Sequence, residues 1–107
     1  MKFLTKKNIS DFKQQGDTGE MSPKDIKIIA KFFNPTGAAS WFCYEYNEAE
    51  DIFWCFANLG HDQFAECGTV SAKELREFRG RFGLGIERDL HFGTNHTLED
   101  VIEFKVR

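Results

Sequence analysis

The fold is decided by residues 40–59, SWFCYEYNEAEDIFWCFANL. The side chains of residues 40–46 alternate in character, which predicts a strand whose successive side chains point to opposite faces of a sheet. The predicted faces are Phe42, Tyr44 and Tyr46 on one side and Trp41, Cys43 and Glu45 on the other. An acidic turn is expected over residues 47–51. Residues 52–59 are apolar on both faces, which predicts a central strand covered from both sides.

The segments around this stretch predict further strands of the same sheet. Residues 25–33 alternate, which indicates a half-buried strand with Ile26, Ile28, Ala30 and Phe32 on one face. Asn34-Pro35-Thr36-Gly37 has the composition of a turn, so this strand and residues 40–46 should form an antiparallel hairpin. Residues 63–70 predict a weaker fourth strand and residues 86–92 a fifth.

Three short segments carry helix signals. Thr5 is a plausible N-cap for a helix over residues 4–15, and Ser71 with Glu74 matches a capping box for a helix that packs Leu75 and Phe78 and ends near Arg79. A last helix begins after Thr97, with Leu98, Val101 and Ile102 directed inward. We therefore predict an α+β fold in one domain, residues 1–107, with a mainly antiparallel sheet of four to five strands and two to three short helices.

Composition narrows the class of protein. The 107 residues include 12 Phe, so we expect an aromatic core, in which each buried Phe contributes about 1.5–3 kcal/mol. The net charge of −3 argues against a dedicated nucleic-acid binder. No apolar run is long enough to span a membrane, and the N-terminus is too polar for a signal peptide, which predicts a cytoplasmic protein.

The cysteines do not indicate a metal or disulfide site. Cys43, Cys55 and Cys67 are evenly spaced, with His61 between the last two. Zinc sites usually offer closely spaced ligand pairs, whereas even spacing fits one cysteine on each strand of a meander. We therefore predict reduced, largely buried thiols, no metal site and no cofactor.

Residues 80–92, GRFGLGIERDLHF, contain the candidate site. If residues 86–92 form a strand, Glu87, Asp89 and His91 share one face, and Arg88 lies on the apolar face. Carboxylates and an imidazole in a row could supply acid and base groups, with Arg88 holding an anion. The alternative is a solvated strand face, with Arg88 paired to an acid across the sheet. The glycines lack the spacing of a phosphate loop and are expected to end a helix and turn the chain.

A second set of candidates combines arginines with aromatic residues. The arginines at 76, 79, 81 and 88 could form, with Trp41, Tyr44 and Tyr46, a groove for a nucleotide or a single strand. The alternative is that the arginines lie on a solvated helix face and the tryptophans in the core. The binding candidates taken from this set are Arg88, Arg81, Trp41 and Tyr44.

The chain resembles a family of small bacterial domains of unknown function. The resemblance rests mainly on Gly83–Phe92, GLGIERDLHF, and also on Lys31-Phe32-Phe33, Trp41–Tyr46, Gly68-Thr69-Val70-Ser71 and Glu74-Leu75. It covers nearly the whole chain. It implies a bacterial cytoplasmic setting and an association with plasmids and other mobile elements, and it implies no activity. The family often has proline where this chain has Gly85, which implies an extended entry to the strand.

Three functional hypotheses follow. The first is a non-enzymatic module that binds a protein or a small anionic ligand through an open sheet face and the stretch around Arg88. The second is a small hydrolase or transferase that uses Glu87, Asp89 and His91 with Arg88. The third is a nucleic-acid-handling accessory protein, which the net charge disfavours. A homodimer formed through an edge strand is compatible with each of them.

Overall fold

The computed structural model describes residues 2–107 as a five-stranded antiparallel sheet with three helices, which confirms the predicted α+β class. The strands lie in the order β4-β3-β2-β1-β5. The elements are α1 (Lys6–Gln15), β1 (Ala30–Phe33), β2 (Ser40–Asn47), β3 (Ile52–Asn58), β4 (Glu66–Ser71), α2 (Ala72–Glu77), β5 (Glu87–Arg88) and α3 (Leu98–Ile102). The predicted hairpin is confirmed, because β1 and β2 pair antiparallel.

Both faces of the sheet are buried. The first face packs against α1 and α2, and its central rings, Phe32 and Phe53, are fully buried with centroids 5.4 Å apart. The second face packs against α3 and the C-terminal residues. Its buried side chains include Ile28, Phe42, Phe56, Leu98 and Val101. The predicted strand over residues 52–59 is observed as Ile52–Asn58, and it is covered on both sides except at Trp54, which is exposed.

A β-bulge in β2 changes the predicted distribution of side chains. The register with β3 shifts between Cys43 and Glu45, so that Tyr44 is the additional residue. A bulge of this kind reverses the alternation that follows it. Phe42 and Tyr44 pack in the second core, whereas Tyr46 packs in the first. The prediction that these three side chains share one face is therefore wrong for Tyr46.

The predicted strand over residues 25–33 is regular only in its second half. Ile26 and Ile28 are buried in the second core, and Ala30 and Phe32 in the first, so the four do not share one face. The change occurs where the pairing partner changes: the Ile28 amide donates to the carbonyl of His96 (2.9 Å), and the next amide donates to Cys43 in β2 (2.8 Å). Residues 26–28, before β1, thus pair with residues 96–98 at the start of α3.

The predicted N-caps of the three helices are confirmed, and α1 ends at Gln15 as predicted, although it begins at Lys6 and not at residue 4. The side chains of Thr5, Ser71 and Thr97 each accept a hydrogen bond from the amide three residues later, at 3.0, 3.1 and 3.2 Å. Helix α2 ends at Glu77, before Arg79, because Phe78 leaves the helical conformation (ψ 136°).

Three side chains assigned to the interior are partly exposed. Phe78, Trp54 and Ile102 are 43%, 43% and 37% exposed. Phe78 follows the early end of α2, and Ile102 is the last residue of the short helix α3. Trp54 lies on an interior strand, but α3 does not cover that part of the second face.

A polar network joins the β2–β3 turn to α2. The Tyr46 hydroxyl donates to Asp51 Oδ1 (2.6 Å), and the Arg76 guanidinium donates to both carboxylate oxygens of Asp51. The Asp51 carbonyl accepts from the Ala72 amide (2.9 Å). The hydrogen bond from Arg76 lowers the pKa of Asp51, and burial together with Asp51 raises the pKa of Tyr46 to about 12.

We expect Asp51→Asn to lower the free energy of unfolding by roughly 1 kcal/mol at neutral pH, because the ion pair with Arg76 is lost. Asn tolerates the positive φ of Asp51 (56°), so the turn itself should be retained. Since the folded-state pKa is lowered, the contribution of the carboxylate is present above about pH 3.9 and is lost as the pH falls below it. Chemical denaturation of both proteins from pH 7 to pH 3 measures this, and a gap between them that does not narrow in acid would contradict it.

Both tyrosines of the chain should resist ionisation while it is folded. Burial raises the pKa of Tyr44 as well as that of Tyr46, and there are no other tyrosines. The ultraviolet absorbance of phenolate should therefore stay low at about pH 10–11 and rise only near pH 12, whereas in denaturant it should rise near about pH 10. Because the pKa of each tyrosine is higher in the folded state, its contribution to stability is complete below the unfolded-state pKa of about 10 and is lost as the pH rises through the folded-state pKa. The free energy of unfolding should therefore fall as the pH rises above about 10. Half-ionised tyrosine in the folded protein at about pH 10 would contradict the assignment.

Candidate functional site

A cleft separates α1 from residues 88–95. It consists of a cavity of about 470 Å³ and an adjoining cavity of about 200 Å³, which share Lys7, Asp11, Ile29 and Thr94 in their walls. Helix α1 forms one wall, residues 88–95 form the other, and residues 27–31 run between them. The cleft contains two of the residues singled out from the sequence, Arg88 and Asp89.

The cleft exists because β5 is short. Glu87 and Arg88 pair with the last two residues of β1, and the Asp89 amide still donates to the Lys31 carbonyl (2.8 Å). The chain then turns away, because Asp89 Oδ1 accepts from the His91 amide (2.9 Å) and so closes a local turn. The predicted strand over residues 86–92 therefore ends at Arg88, and the segment before β1 pairs instead with residues 96–98, through a β-bridge between Lys27 and Thr97.

Arg88 fastens the N-terminal segment to the sheet. Its Nη1 donates to the carbonyls of Lys2 (2.9 Å) and Phe3 (3.0 Å) and to Asn8 Oδ1 (3.3 Å). The Phe3 ring stacks on Phe32 with centroids 4.4 Å apart. The expectation that Arg88 pairs with an acid across the sheet is wrong, because its partners are neutral oxygens of the N-terminal segment and α1.

Two ion pairs lie in the cleft walls. On α1, Lys7 Nζ is 2.9 Å from Asp11 Oδ2. Across the cleft, Lys31 Nζ is 3.4 Å from Asp89 Oδ2, and it also donates to the Arg107 carbonyl (2.9 Å). Both carboxylates of the cleft are thus neutralised by a neighbouring lysine.

The remaining charges of the cleft are positive. Lys27 and Arg88 line it, and neither forms an ion pair with a residue in the described range 2–107. The walls therefore carry four basic and two acidic side chains, in a chain whose net charge is −3. A local excess of positive charge in a chain that is negatively charged overall favours the binding of anions in the cleft.

Gln15 holds the wall that contains Lys27. Its amide nitrogen donates to the carbonyls of Lys27 (2.9 Å) and Tyr44 (2.6 Å), and its oxygen accepts from the Lys27 amide (2.8 Å). One side chain thus joins the end of α1 to β2 and to the segment before β1. Thr94 and Asn95 add a hydroxyl and an amide to the opposite wall.

The other predicted site residues lie elsewhere. Glu87 and His91 are not among the residues that line the cleft, and the His91 side chain is exposed. Trp41 packs against the first core and Tyr44 in the second, so the two aromatic residues lie on opposite faces of the sheet. Arg81 is exposed in the turn after α2. The structure does not bring these residues into one groove.

The glycines of residues 80–85 turn the chain, as predicted, but they do not end α2, which stops at Glu77 with Phe78 as its C-cap. The Gly80 amide donates to the Leu84 carbonyl (2.8 Å) and closes a short loop. Gly83 has a φ of 71°, which is accessible to glycine at little cost. Phe82, beside it, also has a positive φ (60°) and is 89% exposed.

The three cysteines lie one on each of β2, β3 and β4, which accounts for their even spacing. Cys43 and Cys55 are buried and lie directly opposite each other, whereas Cys67 is exposed. Burial and the neighbouring Cys55 raise the pKa of the Cys43 thiol. Within residues 2–107, no group of three or more His, Cys, Asp or Glu side chains is placed to hold a metal ion, and no helix has the length and apolar character needed to cross a bilayer.

Sequence reasoning missed Lys27 and Gln15. Lys27 occupied a position on the polar face of a predicted strand, where a lysine is ordinarily solvated. Gln15 was the last residue of a predicted helix, and nothing in its neighbours indicates that it reaches residues 27 and 44. Only the tertiary contact identifies either residue.

We expect Arg88→Met to lower the free energy of unfolding by about 1–2 kcal/mol, because two backbone carbonyls lose a charged donor while the aliphatic stem is retained. Amide hydrogen exchange in residues 2–5 should accelerate. Arg81→Met removes the same charge from an exposed arginine of the same stretch and should change stability by less than about 0.5 kcal/mol. Equal effects of the two substitutions on denaturation would show that Arg88 does not fasten the N-terminal segment.

Comparison with known proteins gives a family but no function. The family described as "Protein of unknown function (DUF2958)" matches residues 3–105. No curated protein and no solved structure matches the chain. The match includes α1, the sheet and both walls of the cleft. The chain therefore belongs to the family of unknown function DUF2958.

Proposed function

We propose that this domain is a non-enzymatic binding module that holds a small anionic ligand in the cleft between α1 and residues 88–95. The observation that carries the proposal is the excess of basic side chains in a ligand-sized cleft of a chain that is acidic overall. Ligand pockets of proteins typically enclose about 300–1,000 Å³. The larger cavity of about 470 Å³, which Lys27 lines, falls within that range, and Arg88 lines the adjoining cavity of about 200 Å³.

The two basic groups without an acidic partner suit a carboxylate or phosphate. Lys27 supplies a compact charge beside the backbone that Gln15 fixes. Arg88 uses Nη1 for its bonds to the N-terminal segment, so Nε and Nη2 have no acceptor within residues 2–107. A planar guanidinium edge recognises carboxylate and phosphate oxygens. Thr94 and Asn95 can complete the hydrogen bonding of such a ligand.

The enzymatic alternative receives less support. A hydrolase or transferase of the type predicted needs Glu87, Asp89 and His91 around one reacting bond. Of these three residues, only Asp89 lines the cleft, and its carboxylate already pairs with Lys31 and accepts from the His91 amide. A turnover that is lost in Glu87→Ala or His91→Ala, with the fold intact, would reverse this preference.

The protein-binding and nucleic-acid alternatives also rank below the small ligand. Both sheet faces carry helices, so the open sheet face that was predicted to meet a protein partner is limited to the region around Trp54. Arg76 is bonded to Asp51, and Arg79 donates to the carbonyls of residues 76 and 78. These engagements leave few arginines of that stretch for a phosphate backbone.

The proposed setting is the cytoplasm of a bacterium that carries mobile genetic elements. This part of the proposal rests on the sequence resemblance and on the free cysteines, which suit a reducing compartment. Subcellular fractionation of a native host, together with the sequence that flanks the gene, tests it. A chromosomal location without integrase or plasmid genes nearby, in most family members, would contradict it.

We expect Lys27→Gln to weaken binding of inorganic phosphate, citrate or adenosine monophosphate by about tenfold, which is about 1.4 kcal/mol, because one of the two unpaired charges is removed. At fixed ionic strength, whichever of these anions binds should raise the melting temperature of the wild type and raise it less in the variant.

Lys6→Gln is the matched control, because Lys6 is an exposed lysine of α1 outside the cleft walls. It should respond as the wild type does. The proposal is wrong if none of the three anions shifts the melting temperature, or if the two lysine variants lose the shift equally.

A further inference from the structure

A second cavity lies on the second face of the sheet, beside Trp54. It encloses about 410 Å³ and is lined by Tyr44, Glu45, Trp54, Leu98, Ile26 and the loop of residues 17–19. None of these residues lines the cleft described above. The cavity contains aromatic and acidic side chains, whereas the cleft is basic, so the two places differ in the ligands that they favour.

The bulge at Tyr44 brings Glu45 to this cavity. With regular alternation, Glu45 would lie on the same face as Cys43, in the first core. The register shift places Glu45 directly opposite Trp54 instead, so the carboxylate and the indole are neighbours on one face. Directly opposed side chains in an antiparallel pair lie about 4.5–5.5 Å apart at Cβ. Bulges often re-aim a side chain next to a functional site.

Thr18 fixes the orientation of the carboxylate. Its amide (2.8 Å) and its hydroxyl (2.7 Å) both donate to Glu45 Oε1, and Thr18 itself is only 6% exposed. Glu45 Oε2 accepts no hydrogen bond, and the carboxylate forms no ion pair, with any residue of the described range. The second oxygen therefore remains available, and no basic side chain of residues 2–107 neutralises its charge.

Trp54 is 43% exposed although β3 is an interior strand with a neighbour on each side. Tyr44, by contrast, is buried at the base of the cavity. An indole face beside an oriented carboxylate attracts an organic cation in two ways, through the ring quadrupole and through the opposite charge. Asp17, at the rim, adds a second negative charge.

We propose that this cavity binds an alkylammonium cation, which stacks on Trp54 and pairs with Glu45. An anion would be repelled by the two carboxylates. A purely apolar ligand would remove the Glu45 charge from water without compensation, which is costly. Such a cation could be a free quaternary ammonium compound or the primary ammonium of a lysine side chain of another protein, and the indole face and the carboxylate would attract both.

Trp54 can report the binding directly. The chain has two tryptophans, so Trp41→Phe leaves Trp54 as the single tryptophan. In that background, with excitation that selects the indole over Tyr44 and Tyr46, we would titrate tetramethylammonium chloride and, separately, Nα-acetyl-lysine methylamide, against sodium chloride at the same ionic strength. We expect a saturable change of Trp54 fluorescence with at least one of the two cations and none with sodium. Tighter binding of the lysine derivative would assign the cation to a lysine side chain, and tighter binding of tetramethylammonium would assign it to a free quaternary ammonium compound.

Glu45→Gln tests the role of the charge, because glutamine keeps an oxygen that can accept from Thr18. We expect at least about a tenfold loss of affinity, whereas Glu50→Gln, an exposed carboxylate of the β2–β3 turn, should leave affinity unchanged. Trp54→Leu, followed by calorimetry, should also abolish binding and does not depend on the Glu45–Thr18 contact. The proposal is overturned if both cations give only the response of sodium, or if Glu45→Gln and Glu50→Gln bind equally.

Discussion

The register shift at Tyr44 is the constraint on which both cores depend. Before it, β2 directs Phe42 into the second core and Cys43 into the first; after it, Tyr46 joins the first core and Glu45 the second face. Tyr46 then packs on Phe53 (centroids 4.8 Å apart) and reaches Asp51, and through it Arg76. A single additional residue in the middle strand of the sheet thus determines where an aromatic core, a polar network and a candidate cation site are formed.

The early end of β5 has a comparable effect on the other side of the molecule. Asp89 satisfies the backbone locally, so the chain leaves the sheet after two paired residues. The cleft results from this departure, and Arg88, the last paired residue, holds the N-terminal segment at its end. The guanidinium group of Arg88 therefore joins this end of the sheet to residues 2, 3 and 8, which are distant in sequence.

The parts of the fold that were predictable are those with local causes. The β1–β2 hairpin follows from two alternating runs around a Pro-Gly turn, and the helix starts follow from Thr5, Ser71 and Thr97, whose bonds span three residues. The bulge was not predicted, because aromatic residues occupy both faces of β2, and only Glu45, which regular alternation would place in the first core, departs from an apolar pattern. The end of β5 was missed because Ile86, Leu90 and Phe92 continue the alternation, while the turn at Asp89 depends on one side-chain bond to the backbone. The sequence located Arg88 and Asp89, but the partners that give them their setting, Asn8 and Lys31, are brought close only by the fold.

The different burial of the three thiols allows local opening of the sheet to be distinguished from global unfolding. Cys67 is exposed on the outer strand β4, whereas Cys43 and Cys55 are buried and face each other across β2 and β3. A reagent that alkylates thiols can reach the first in the folded state, at a rate slowed by its raised pKa. It reaches the other two only when β2 and β3 separate. Modification of Cys67 alone therefore identifies molecules in which only the edge strand is accessible, and modification of Cys43 and Cys55 identifies molecules in which β2 and β3 have separated.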